Sequence, residues 1–72
     1  MSREFNVIIE QDDEGWYVAS VPALPACHTQ ARSLDQLMER IREAIELCLD
    51  VQGDDAVSSA RFVGVQRVAV GG

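Results

Sequence analysis

The residues of this chain best suited to chemistry are acids and thiols. Asp12, Asp13 and Glu14 form its densest run of carboxylates, and clustered carboxylates can hold Mg²⁺ for phosphodiester cleavage. Here they are consecutive within Gln11-Asp12-Asp13-Glu14-Gly15, a stretch that reads as a chain reversal. Their side chains then diverge into solvent, and no acid in a neighbouring strand completes a buried site. Cys27 and His28 are the residue types of a nucleophile and its base, yet neighbours in a strand point to opposite faces and cannot form a dyad. Adding Cys48 leaves too few converging ligands for a metal. The sequence therefore predicts no catalytic, cofactor-binding or metal-binding residue, and no enzyme activity.

The elements that must position these residues follow from periodicity. Phe5, Val7 and Ile9 alternate with Asn6 and Glu10, which predicts a strand over 4–10. The acidic turn closes a hairpin with a second strand, Trp16 to Val21, in which Gly15 supplies positive φ. Pro22 and Pro25 lack backbone donors, so residues 21–26 are expected to cross irregularly, with a short strand at Cys27-His28-Thr29. Ser33 and Gln36 have capping-box spacing. Leu34, Leu37, Met38, Ile41, Ala44, Ile45, Cys48, Leu49 and Val51 then recur at helical steps, and Gly53 is placed to end the helix. After a polar connection at 54–60, Arg61 to Val70 reads as a last strand whose apolar phase changes between Val65 and Val68. The expected fold is a single α+β domain over 1–72, β-β-β-α-β, with one helix on one face of an antiparallel sheet. One helix covers only one face, so the other, carrying Ile8 and part of the Trp16, Tyr17 and Val63 group, is expected to meet a second subunit or a partner. So small a core also favours homo-oligomers, for which Phe62, Val63, Val65, Val68 and Val70 are the interface candidates.

Charge narrows the class of partner. Twelve Asp and Glu stand against six Lys and Arg, a net charge of -6, which opposes direct binding to nucleic acid and suits a basic protein. On the predicted helix Asp35, Glu39, Glu43, Glu46 and Asp50 fall within about a quarter of the circumference, forming an acidic ridge. With Asp12, Asp13 and Glu14 at the hairpin, and the adjacent aromatics Trp16 and Tyr17, these are the candidate partner-binding residues. No apolar run is long enough for a membrane span and the start lacks a signal-peptide core, so a cytoplasmic location with reduced cysteines is expected.

The acidic-Gly-aromatic turn, the crossing Val-Pro-Ala-Leu-Pro-Ala-Cys-His-Thr and the helix segment Glu-Ala-Ile-Glu occur in an order that resembles the HicB-like antitoxin family over roughly residues 4–50. The resemblance implies a partial ribonuclease H-like fold and a role in type II toxin-antitoxin modules, in which the antitoxin binds a small basic HicA-type ribonuclease and blocks its active site. Many members continue into a DNA-binding domain for which this sequence leaves no room, so DNA binding is not expected. The alternative implied by the same resemblance is an orphan structural or regulatory oligomer with no cognate toxin.

Overall fold

A computed structural model describes residues 3–71. Three strands, β1 (Ile8–Gln11), β2 (Tyr17–Val21) and β3 (Leu24–Ala31), form an antiparallel sheet in the order β1-β2-β3, followed by the helix α1 (Leu34–Gln52) and a 3-10 turn at Gly53–Ala56. The β1–β2 hairpin closes as the sequence predicts. Asp12 N–H donates to the Trp16 carbonyl at 2.9 Å, Gly15 N–H donates to the Asp12 carbonyl at 3.1 Å, and Gly15 sits at φ 89°. That positive φ is the conformation a three-residue hairpin loop asks of its last residue, and glycine adopts it without a Cβ penalty.

Three boundaries differ from expectation for identifiable reasons. Residues 4–7 lie outside β1, because Ile8 is already paired with Ser20 and β2 stops at Val21. The irregular crossing shrinks to the turn at Pro22 and Ala23, and β3 begins at Leu24 and contains Pro25. The register shifts between Ser20 and Val21, so Pro25 falls in a bulge on an edge strand, where a missing N–H costs no ladder bond. The largest departure is at the other end. Residues 61–70 form no strand; their side chains are exposed and they join no ladder among the described residues. The strand order observed is therefore β-β-β-α, and the sequence-predicted fourth strand is an arm without a ladder. The Cα radius of gyration, 13.9 Å, exceeds the roughly 11 Å of a compact domain this long, because the arm projects from the body.

The helix begins where Ser33 Oγ accepts the Gln36 N–H at 3.2 Å, the forward half of the capping box. It ends at Gly53, whose φ of 61° lets its N–H reach the Leu49 carbonyl. Helix α1 packs over β3 and, less extensively, β2, while its backbone stays clear of β1. The fully buried core is Ala19, Val21, Leu24, Cys27, Ala31, Leu37 and Ile41. Of the rest of the predicted helical stripe, Ala44, Ile45, Cys48 and Leu49 pack partly against this core, whereas Leu34, Met38 and Val51 are exposed.

Candidate partner-binding surface

The register sorts the sheet's side chains. Val7, Ile9, Tyr17, Ala19, Thr29 and Ala31 share the helix-facing side, and Ile8, Val18, Ser20, His28 and Gln30 share the other. Tyr17 packs against the core, while Trp16 lies half-buried on the uncovered face with the Arg32 guanidinium 4.0 Å from its ring centroid. Such a stack holds both groups in place. Ile8 is also on the uncovered face, as expected; Tyr17 is not, and Val63 belongs to the arm.

Cys27 is buried on the helix side and His28 exposed on the other, so the two cannot act together. The sequence pattern did not reveal that Cys27 meets Cys48. Burial, reinforced by a hydrogen bond with the Cys48 thiol, pushes the Cys27 thiol up to about 11 and keeps it protonated and unreactive. Both cysteines are free thiols. Among the described residues no group of three or more His, Cys, Asp or Glu side chains could hold a metal ion. Asp12 is occupied in shaping its turn, since its Oδ1 accepts the N–H groups of Glu14 and Trp16, both at 2.9 Å. Asp13 and Glu14 stay exposed beside it.

On α1, Asp35, Glu39, Glu43, Glu46 and Asp50 are all exposed along one side. The sequence suggests that Arg42 could neutralise Glu39 or Glu46, yet the ion pair formed among the described residues is Arg3–Asp54 at 3.1 Å, away from the ridge. Arg40 turns to the sheet and donates to the Gln30 carbonyl at 2.9 Å, capping the outer edge of β3. No local pattern announces that contact, because it exists only once helix and sheet are docked. The Arg32–Trp16 stack, next to the helix cap, sets the start of the ridge at the same end of the molecule as the acidic hairpin tip. Asp13, Glu14, Asp35 and Glu39 therefore lie at one end of the molecule, with Arg32 among them. Like charges four residues apart cost a helix about 0.2–0.5 kcal/mol per pair, and Asp50 opposes the helix dipole in a last turn that has no basic residue. Local stability does not explain these residues.

Comparison with known proteins gives the surface its context. Residues 5–68 match the HicB-like antitoxin of bacterial toxin-antitoxin systems. The chain belongs to the HicB-like antitoxin family. It is 55% identical over 67 residues to a UPF0150 protein of Archaeoglobus fulgidus, covering 93% of this chain and 94% of that one. It is 46% identical over 68 residues to a UPF0150 protein of Synechocystis, covering 94% and 96%, and 36% identical over 67 residues to one from Thermotoga maritima, covering 92% and 88%. The family match extends past the helix into the arm, so residues 61–68 are part of the family's pattern. No helix among the described residues is long and apolar enough to cross a membrane.

Proposed function

We propose that this chain is the antitoxin of a type II toxin-antitoxin system and neutralises a small basic HicA-type ribonuclease by binding over its catalytic surface. Membership of the HicB-like antitoxin family over residues 5–68 carries this reading. The geometry supplies a means. A basic ribonuclease must expose cationic groups to hold RNA phosphates, and the acidic end of this chain offers exposed carboxylates that form no ion pair among the described residues. The antitoxin then occupies the phosphate-binding surface as an anionic competitor and needs no chemistry of its own. Trp16, fixed by Arg32 at the edge of the acidic end, is the aromatic anchor of the contact.

In the same reading the protein works in the cytoplasm as a homo-oligomer, with Phe62, Val63, Val65, Val68 and Val70 in the contact between copies. The test is RNA cleavage by the small basic protein encoded beside this one, measured as the antitoxin is titrated in. Cleavage falls to background at a stoichiometric ratio. Undiminished cleavage at saturating antitoxin defeats the proposal and leaves the orphan oligomer.

A further inference from the structure

The chain has two cysteines, Cys27 on β3 and Cys48 on α1, and the docking of the helix over that strand brings them together. Cys27 is 2% exposed, and Cys48 is half-buried against the same core. Their thiols share a hydrogen bond across the seam between helix and sheet. Other small apolar side chains would fill this seam equally well, so packing alone does not ask for a matched pair of thiols. No further ligand or base takes part. His28 lies on the far face of the sheet, and among the described residues no group of three or more His, Cys, Asp or Glu side chains could hold a metal ion. The chemistry left to the pair is oxidation.

Exposure divides the roles. Cys48 is open to small oxidants from solvent and Cys27 is not. Burial pushes the Cys27 thiol up to about 11, so it does not attack an oxidant first; it waits where an oxidised Cys48 meets it. We infer that Cys27 and Cys48 form a peroxide-responsive dithiol that closes into a disulfide between β3 and α1. The Cys48 thiolate attacks one oxygen of hydrogen peroxide, the O–O bond breaks, and the departing hydroxide takes up a proton as water, leaving a sulfenic acid on Cys48. The Cys27 sulfur then attacks the Cys48 sulfur. The S–S bond forms, the S–O bond breaks, and the hydroxyl leaves with the Cys27 proton as a second water. Two thiols and one peroxide become one disulfide and two waters, the sulfurs giving up two electrons in all.

The bond changes how the helix is held. With both cysteines as free thiols, α1 stays on the sheet through core packing and the Arg40–Gln30 hydrogen bond. The disulfide adds a covalent tie whose loop, residues 27–48, takes in the end of β3, the helix cap and most of α1. Such a loop restricts the unfolded chain more than the folded one. Because the acidic ridge rides on α1, the tie also keeps the ridge mounted on the sheet under oxidising conditions. The inference goes beyond the antitoxin reading and holds whichever partner the ridge meets.

The test treats the full reduced chain with an equimolar dose of hydrogen peroxide, followed by unfolding, alkylation, intact-mass measurement and a thermal melt. The wild type is expected to lose two hydrogens, to leave no cysteine for alkylation, and to melt at least about 5 °C higher than the reduced chain, a gain that dithiothreitol reverses. Cys27→Ala is expected to accumulate a sulfenic acid on Cys48 that dimedone traps, whereas Cys48→Ala keeps its Cys27 thiol unmodified at the same dose. The wild-type mass and melting temperature decide the matter without any substitution, so a variant that unfolds does not obscure it. Two thiols that remain open to alkylation overturn the inference. So does a sulfinic acid on Cys48 beside a free Cys27, or a pair of chains joined through Cys48. Loss of two hydrogens with no rise in melting temperature overturns the tie between helix and sheet.

Discussion

The two flanks of α1 are built from similar residues and end in opposite states. On the β3 flank, Leu37 and Ile41 close against Leu24, Cys27 and Ala31, and Arg40 bonds the Gln30 carbonyl at the strand edge. On the β1 flank, Met38 is 46% exposed and lines an open groove beside the edge strand. Leu37 and Met38 are adjacent in sequence and comparable in hydrophobicity, so composition does not separate the flanks. What separates them is the supply of strands. The β3 flank lies under the strand that α1 packs on, and the β1 flank has no strand beyond β1 among the described residues.

This contrast can be sharpened by mutation. The largest effect is expected for Leu37→Ala, at about 2–5 kcal/mol of stability in urea unfolding, because the site is fully buried among neighbours that cannot all collapse. Met38→Ala, at a position 46% exposed, is expected to cost under about 1 kcal/mol. Equal losses at both positions would erase the distinction between the flanks. Gly53→Ala comes next, at about 1–3 kcal/mol, since a φ of 61° with ψ -144° is a region that residues with a Cβ avoid and the turn there leads into the arm. Ser33→Ala removes the cap that starts the closed flank and is expected to cost about 1 kcal/mol by thermal unfolding. The smallest effect has the opposite sign. Glu43→Gln relieves repulsion with Glu39 and is expected to raise stability by about 0.2–0.5 kcal/mol while weakening toxin binding.

The closed flank was the more legible in the sequence. Ser33, Gly53 and the steps of three and four between them fix a helix by local chemistry alone, and the acidic turn with Gly15 fixes a hairpin. Pro25 misled because its cost depends on whether a strand is central or at an edge, which is a property of the sheet. The arm misled for a related reason. Residues 61–70 have strand composition, but a strand exists only with a partner, and the single chain supplies none. The acidic ridge was readable from spacing, since exposure of one helix side follows from burial of the other. The Arg40 and Arg32 contacts were not, because long cationic side chains choose partners only after the elements dock.

The most direct test of the acidic end as the toxin-binding surface is a calorimetric titration of the neighbouring-gene toxin with the wild-type chain and with E39R/E43R. Both ridge positions are exposed on α1, so the variant retains the fold. The expected result is binding at least about tenfold weaker for the variant, a loss of roughly 1.4 kcal/mol, and a wild-type affinity that falls as salt is raised. Equal affinity for the two proteins, insensitive to salt, would contradict recognition through the ridge.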